Sequence, residues 1–212
     1  MLKVHGVPLS PFVRKALLTL EYKGIDYDLV PVMPASDDPG FRAMSPLGKI
    51  PVLEHDGFTI PDSSIVCRYL DRVFPDKPIY PSYPALEAKA TWIEEFADTK
   101  LMEACAGLFQ QKFLFPKLMN KPTDEAIVDN ILRNVMPAAL AYVESITPES
   151  GPMVGDHITI ADIAIVTCFA QSQYADFEVP SDYPRLKAYL AGAMANETVA
   201  GRITSERKQM GL

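Results

Sequence analysis

The sequence predicts an α/β domain followed by an all-helical domain. Residues 1–75 contain short strand patterns and two helix patterns in the order βαβ, loop, ββα. Residues 75–84 include four prolines, which can continue neither a helix nor a central strand. Beyond them, apolar residues recur at helical spacing. We therefore expect an α/β domain over residues 1–75, a linker over 76–84 and a helical domain over 85–212.

The first helix carries both start and stop signals. Ser10 is a preferred N-cap, and Pro11 is a preferred first helical residue. Lys23 places a basic side chain in the last turn, and Gly24 can adopt the left-handed cap conformation. These signals predict a helix that begins at Pro11 and ends at Lys23.

Two strand patterns flank this helix. Leu2 and Val4 alternate with polar residues, and residues 27–32 form the second pattern. A strand, a helix and a strand within about 30 residues make a βαβ unit, so the two strands should be parallel. The polar, proline-rich stretch 34–46 is expected to be a loop.

A predicted hairpin follows the loop. Val52-Leu53 and residues 58–60 flank Asp56-Gly57, a dipeptide that suits the positive φ angles of a two-residue hairpin turn. Ile50-Pro51 stands directly before the first of these strands, where proline is a candidate for a cis bond. The residue before such a turn can offer its N–H and C=O to a ligand.

The start of the next helix is a candidate anion site. Asp62 or Ser63 can cap this helix. The unpaired N–H groups and the positive end of the helix dipole at such a start favour a bound carboxylate. One carboxylate and one strand-like peptide could therefore bind over residues 50–63, although an ordinary hairpin and N-cap explain the same residues.

Beyond the linker, four regions show helical spacing of apolar residues: 86–115, 123–146, 159–169 and 183–190. Pro137 is a candidate kink in the second region. Thr159 and Asp162 form a capping-box arrangement at the start of the third, with Asp in place of Glu or Gln. Residues 205–212 are polar enough to be expected to fray.

Composition and charge argue against several classes of partner. The net charge is −7 and Lys and Arg are not clustered, so neither nucleic acid nor an anionic membrane is expected. No signal peptide and no apolar run of ~20 residues is found, so we expect a cytoplasmic protein. The three cysteines are widely spaced and are expected to be small buried hydrophobes. The three histidines lack carboxylates at ligand spacing, so no metal is expected.

Taken together, these motifs resemble the cytosolic glutathione transferase family over essentially the whole chain. Ile50-Pro51-Val52-Leu53 is similar to the family's cis-proline motif, residues 62–70 to its Glu/Asp-Ser helix motif, and residues 159–162 to its capping box. Ser10-Pro11-Phe12 with the basic residues that follow resembles the active-site start of the serine-type classes, especially the tau-like pattern. The resemblance implies a thioredoxin-like first domain and an all-helical second domain.

The resemblance also implies a glutathione S-transferase with glutathione as co-substrate and no metal. Ser10 would donate a hydrogen bond to the thiolate of glutathione, and Ile50 would pair its backbone with the cysteinyl part. Asp62 and Ser63 would hold the γ-glutamyl end, and Lys49 could reach the glycyl carboxylate. Asp62 stands where many relatives carry Glu, which shortens its reach to the ligand's ammonium group.

A homodimer and a pocket for a small hydrophobic electrophile are further implications of the resemblance. The expected pocket faces the first long helix of the C-terminal half. Cys105, Phe109 and Phe113 are candidate lining residues, because an apolar acceptor needs aromatic and soft surface. Aromatic residues at helical spacing are, however, more often part of a plain core.

Two other functions stay open. Relatives that reduce disulfides through a protein thiol carry Cys at the position of Ser10, and the three cysteines here lie far from it in sequence. Disulfide or peroxide reduction that uses glutathione alone is the first alternative. The second is a non-catalytic interaction protein of the same fold. A binding scaffold would not need the predicted glutathione-site residues, and their presence argues against it: Ser10, Ile50, Asp62 and Ser63.

Overall fold

The computed structural model describes residues 1–211 and divides into two compact units. Unit 1 comprises Met1–Tyr80 together with the segment that begins at Glu197, and unit 2 comprises Pro81–Asn196. The break between them falls inside the predicted linker. The last segment was expected in the helical domain but joins unit 1, where the Glu206 carboxylate is buried in an ion pair.

Unit 1 contains a four-stranded mixed sheet. Its strands are β1 (Leu2–His5), β2 (Asp28–Val30), β3 (Val52–His55) and β4 (Phe58–Pro61). The strand order is β2-β1-β3-β4. β1 and β2 are parallel, as the βαβ pattern predicts, whereas β3 is antiparallel to β1 and to β4. The helices that precede the break are α1 (Pro11–Lys23), α2 (Pro39–Met44) and α3 (Ser63–Val73).

The local signals of the first helix and of the hairpin are confirmed. Ser10 caps α1, and Gly24 closes it with a φ of 72°. Asp56 and Gly57 form the turn between β3 and β4 with φ angles of 49° and 84°. Such turn and cap residues act through their own backbone, so the sequence alone locates them.

Helix α2 lies within the stretch that was expected to be a loop. Asp38 caps it by accepting the Phe41 N–H at 2.7 Å, and the Phe41 side chain is buried in the core. A helix of six residues with one buried apolar side chain is too short to show helical periodicity. The loop prediction is therefore wrong over Pro39–Met44.

The sheet, α1 and α3 together form the core of unit 1. Removing a large apolar side chain from water contributes about 1.5–3 kcal/mol, so this cluster is the main source of the unit's stability. Its largest members are Leu2, Val4, Val13, Leu17, Leu20, Phe41, Ile50, Val52, Leu53, Ile60, Val66 and Leu70.

Unit 2 is built from helices. They are α4 (Pro84–Phe96), α5 (Met102–Phe109), α6 (Glu125–Asn130), α7 (Met136–Ile146), α8 (Ile160–Gln173) and α9 (Pro184–Ala195). π-helical turns continue these helices over Ala97–Leu101, Gln110–Leu118 and Ile131–Val135. Pro137, the candidate kink, lies in the first turn of α7, directly after the last π-helical turn. Proline has no N–H to donate, and the neighbouring Met136 N–H bonds the Ile131 carbonyl across the π-helical turn.

Helix α8 is buried over most of its length, and its start is fixed by the predicted capping box. The Asp162 carboxylate accepts the Thr159 N–H at 2.8 Å and the Thr159 hydroxyl at 3.0 Å. It also accepts the Met153 N–H at 2.7 Å and the Tyr189 hydroxyl at 2.7 Å. The box is confirmed, and through the same carboxylate it ties α8 to the preceding loop and to α9.

Glu144 of α7 holds the start of α9. Its carboxylate accepts the Leu186 N–H at 2.8 Å, the Arg185 N–H at 3.2 Å and the Arg185 Nε–H at 3.4 Å. Burial raises the pKa of Glu144, but these hydrogen bonds and the Arg185 charge outweigh it. The pKa of Glu144 therefore lies below its usual value.

The last helix, α10 (Glu197–Gln209), continues through residues that were expected to fray. Its polar side chains include Arg202 and Glu206, which are both buried. Ion pairs with Glu21 and Arg14 hold these two residues, and the expectation of fraying is wrong over residues 205–209. Residue 212 lies outside the described residues.

Replacing Asp162 with Ala should lower the free energy of unfolding by about 3 kcal/mol or more, because buried N–H and O–H groups lose their acceptor. Asp124→Ala is the matched control. Asp124 caps α6 from an exposed position, so its loss should cost only about 1 kcal/mol. Urea denaturation measures both values, and equal losses would contradict a special role for the buried bonds of Asp162.

The lowered pKa of Glu144 should make part of the stability depend on pH. A carboxylate with a lowered folded-state pKa stabilises the fold above its unfolded pKa of about 4.3, and this stabilisation is lost as pH falls through the folded-state pKa. Glu144→Gln should therefore lower Tm at pH 7, and its difference from wild type should shrink below about pH 4. Thermal unfolding across this range is the measurement. A difference that stays constant with pH would contradict the assignment.

Candidate active site

The register of the sheet brings three predicted site segments to one end of unit 1. His5, at the end of β1, pairs with Val52 at the start of β3, and Val52 pairs with Pro61 at the end of β4. The loop that leads to Ser10, the Ile50-Pro51 peptide and the start of α3 therefore all leave the sheet at the same edge.

Ser10 presents its hydroxyl at the N-terminus of α1. Its Oγ accepts the Val13 N–H at 3.5 Å, which is a long and weak cap bond. This bond uses an oxygen lone pair, so the hydroxyl proton can still be donated to a ligand. The first turn of α1 carries no acidic side chain, so the positive end of the helix dipole favours a negative charge beside Ser10.

The Ile50-Pro51 peptide is cis, as the sequence predicts. Just before it, the exposed residue Lys49 accepts the Ser45 hydroxyl at 2.8 Å through its carbonyl. Within residues 1–211, the N–H and C=O of Ile50 make no hydrogen bond to another backbone group. The loop to Ser10 passes nearby, since a Cβ placed on Gly6 would lie 3.4 Å from the Ile50 Cβ. The backbone of Ile50 can therefore pair with an extended peptide.

Asp62 is the N-cap of α3. Its Oδ1 accepts the Ser64 N–H at 2.9 Å and the Ile65 N–H at 3.1 Å, and its second oxygen can accept from a ligand at this exposed position. Asp62 has a φ of 154°, a conformation that L-residues rarely adopt and that clusters at ligand sites. Ser63, the first residue of the helix, is buried beside it.

Lys15 is a site-supporting residue that the sequence did not single out. Its side chain is fully buried, and its Nζ donates to the Ser64 Oγ at 2.9 Å. This bond joins α1 to the first turn of α3, so it links the helix that carries Ser10 to the helix that Asp62 caps. The available signal was a lysine on a helix that is otherwise mostly apolar over residues 11–20.

Arg42 is a second residue that the sequence did not single out. It donates through Nε to the Ser36 carbonyl at 2.8 Å and through Nη2 to the Ala35 carbonyl at 3.3 Å. Its guanidinium lies against Gly48, where a Cβ would come within 2.3 Å of Nη1. Gly48 also has a φ of 65°, a conformation that glycine adopts with the least strain, so an added side chain would be strained and would displace the guanidinium. Arg42 therefore places a cation close to the exposed Lys49.

The three predicted electrophile-pocket residues lie in the interior of unit 2. Cys105, Phe109 and Phe113 are all buried. The rings of Phe109 and Phe113 stack at 5.4 Å, and the edge of the Tyr174 ring packs against both. Burial raises the pKa of Cys105 to about 12, so its thiol stays protonated. Within unit 2 these side chains act as core.

The described residues offer neither a membrane-spanning helix nor a cluster of metal ligands. Between residues 1 and 211, no helix combines the length and apolar character that crossing a membrane requires. The same residues contain no group of three or more His, Cys, Asp or Glu side chains placed to hold a metal ion. The three cysteines are free thiols and are buried, as predicted.

Comparison with known proteins identifies the family. Residues 4–78 match the family model described as glutathione S-transferase, N-terminal domain, and residues 109–205 match the model described as glutathione S-transferase, C-terminal domain. The chain is 31% identical over 182 residues to glutathione S-transferase 4 of Zea mays, which covers 82% of this chain and 79% of that relative.

Solved structures support the same assignment. A glutathione S-transferase from Rhodospirillum rubrum F11 is 27% identical, with a TM-score of 0.83 over 95% of this chain and 91% of its own. Glutathione S-transferase-I, solved with the ligand lactoylglutathione, shares the fold at 22% identity, with a TM-score of 0.84 over 96% of this chain and 98% of its own. The predicted fold, a thioredoxin-like domain followed by an all-helical domain, is confirmed. The chain belongs to the glutathione S-transferase family.

Proposed function

We propose that this protein binds glutathione at the end of the unit 1 sheet and activates its thiol for conjugation to a small hydrophobic electrophile. The observation that carries the proposal is the shared sheet edge of Ser10, Ile50 and Asp62, which follows from the strand register. Glutathione is a short extended peptide with a carboxylate at each end. It therefore needs a strand-like partner, an anion site and a cation, and this edge of the sheet supplies each of them.

Each part of glutathione has a partner of matching chemistry in this arrangement. The cysteinyl residue pairs with the backbone of Ile50. The γ-glutamyl carboxylate binds the start of α3 at Ser63, and its ammonium group meets the Asp62 carboxylate. Lys49 binds the glycyl carboxylate, with Arg42 as a second cation on the same side of the ligand.

Ser10 keeps the bound sulfur as a thiolate. The thiolate is the nucleophile, because a neutral thiol is far less reactive. A hydrogen bond to a charged group contributes about 1.5–3 kcal/mol, which corresponds to a thiol pKa lowered by about one or two units. The N-terminus of α1 adds to this effect. The thiol proton passes to solvent, and the thiolate then attacks the electrophilic carbon of the acceptor; with a chloronitroarene the C–S bond forms and chloride leaves with the electron pair of the broken C–Cl bond. Ser10 keeps its own proton throughout, so it acts neither as base nor as nucleophile.

The proposal also covers the class of glutathione transferase, the electrophilic acceptor and the oligomeric state. Ser10 with its following proline supports a serine-type, tau-like enzyme. The acceptor is proposed only as a small hydrophobic electrophile, and Cys105, Phe109 and Phe113 stay predictions for its pocket. A homodimer is proposed from the resemblance to the family. The cytoplasmic location stays a prediction.

Reduction of disulfides through a protein thiol has less support than conjugation. Cys67, Cys105 and Cys168 are all buried, whereas a redox-active thiol needs access to its substrate. Reduction that uses glutathione alone would employ the same bound thiolate. It is therefore distinguished by the acceptor, and peroxide and disulfide substrates belong in the same screen.

Replacing Ser10 with Ala should lower kcat for conjugation by roughly tenfold to 100-fold, because one hydrogen bond to the thiolate is lost. Glutathione affinity should change little, since Ile50 and Asp62 hold the peptide. Steady-state kinetics with an activated chloronitroarene as acceptor gives kcat, and calorimetry gives the dissociation constant of glutathione.

Ser10→Gly is the matched control for helix capping. Glycine caps a helix nearly as well as serine but has no hydroxyl. Loss of turnover in both variants would support hydrogen bonding to the thiolate. Full activity in Ser10→Gly would instead show that Ser10 acts only as a cap, and this result would contradict the proposal.

A further inference from the structure

Two ion pairs join the last helix to the helix that carries Ser10. In the first, Arg14 of α1 and Glu206 of α10 are both fully buried, with side-chain exposures of 0% and 1%. The Arg14 Nε donates to Oε2 of Glu206 at 2.8 Å, and its Nη2 donates to Oε1. This is a bidentate pair, so it fixes the orientation of the guanidinium as well as its distance.

The second pair has the opposite polarity. Arg202 of α10 donates through Nη1 to the Glu21 Oε1 at 2.8 Å and to the Tyr27 hydroxyl at 3.0 Å. Burial and the neighbouring Glu21 carboxylate raise the pKa of Tyr27, so its hydroxyl keeps the proton that it donates to Glu21. Within residues 1–211, Nε and Nη2 of Arg202 are buried without a hydrogen-bond partner. The second pair is therefore less constrained in geometry than the first.

The order of the two pairs aligns the helices. Arg14 lies near the start of α1 and meets Glu206 near the end of α10, whereas Glu21 lies farther along α1 and meets Arg202 earlier in α10. The helices therefore run antiparallel, with one pair at each end of their contact. The pair at the Ser10 end is the bidentate one.

Arg14 is coupled directly to Ser10. It lies four residues after Ser10, and its N–H donates to the Ser10 carbonyl at 2.9 Å. This is the first hydrogen bond of α1, so the position of the Arg14 backbone determines the orientation of the N-cap residue Ser10. Glu206 fixes the side chain of the same residue. A change in the Glu206–Arg14 ion pair can therefore shift Ser10 through the hydrogen bond between the Arg14 N–H and the Ser10 carbonyl.

A buried ion pair is a poor means of gaining stability, since an apolar pair of similar size often does as well. Its bidentate geometry does restrict rotation and sliding of the first turn of α1. The site beside that turn requires such restriction, because a hydrogen bond from Ser10 to a thiolate weakens steeply when it is misaligned.

We propose that Glu206 is a positioning residue for Ser10, so that the C-terminal helix belongs to the activation machinery although it supplies no group that touches glutathione. This inference rests on the proposed function. It predicts that a change at Glu206 alters the ionisation of bound glutathione, whereas a change that weakens the other ion pair at Glu21 does not.

The test compares Glu206→Gln, Glu206→Asp and the control Glu21→Gln, which weakens the second pair. In the two Glu206 variants, the pH profile of kcat with the chloronitroarene should shift to higher pH by about one unit for Gln and less for Asp, because Ser10 is misaligned. Below that pKa, kcat should fall about tenfold for Gln. Glutathione affinity should stay within about threefold of wild type, and Glu21→Gln should keep the wild-type profile.

Three results would overturn the inference. An unshifted profile in the Glu206 variants would show that the pair only stabilises the fold, as would an equal shift in Glu21→Gln. A shift to lower pH in Glu206→Gln would show that the Glu206 charge acts directly on the thiolate. Glu206→Asp keeps the charge and shortens only the reach, so it decides the question if Glu206→Gln does not fold.

Ser10→Ala separates failure of this inference from failure of the proposed function. If Ser10→Ala shifts the profile and the Glu206 variants do not, only the positioning role fails. If Ser10→Ala leaves the profile unshifted, the proposed role of Ser10 itself fails.

Discussion

The pairing of β3 between β1 and β4 is the constraint on which the site depends. His5, Val52 and Pro61 lie side by side across the three strands, so the segments that follow or precede them emerge at one edge of the sheet. A register shift of one residue would turn the buried side chains of β3 toward the opposite face. The apolar core therefore enforces the same register that places Ser10, Ile50 and Asp62 together.

Helix α1 connects this edge to the rest of unit 1. Its cap presents the Ser10 hydroxyl, Lys15 bonds to the first turn of α3, and Arg14 and Glu21 bind α10. Apolar packing on its remaining side chains stabilises the helix, whereas the polar contacts set its direction and register. The charged residues of α1 therefore connect it to α3 and α10 through directional contacts.

The sequence predicted those features that short stretches determine. Ser10, Gly24, Asp62 and the box at Thr159 each act on the backbone within a few residues, so their local chemistry was sufficient. Helix α2 was missed because only one of its side chains, Phe41, packs into the core, so the helix shows no apolar periodicity in the sequence. The place of α10 was missed because Glu206 and Arg14 are far apart in sequence, and buried ion pairs resemble solvent-exposed charges in sequence. Cys105 and its aromatic neighbours fit a pocket or a core by spacing alone.

The central claim is that Ser10 lowers the pKa of the bound thiol, and thiolate absorbance tests it without any acceptor. Glutathione bound to the wild-type protein and to Ser10→Ala would be titrated with pH while the ultraviolet absorbance of the thiolate is recorded. We expect a thiol pKa about one to two units below that of free glutathione in the wild type and close to the free value in the variant. Equal pKa values in the two proteins would contradict it.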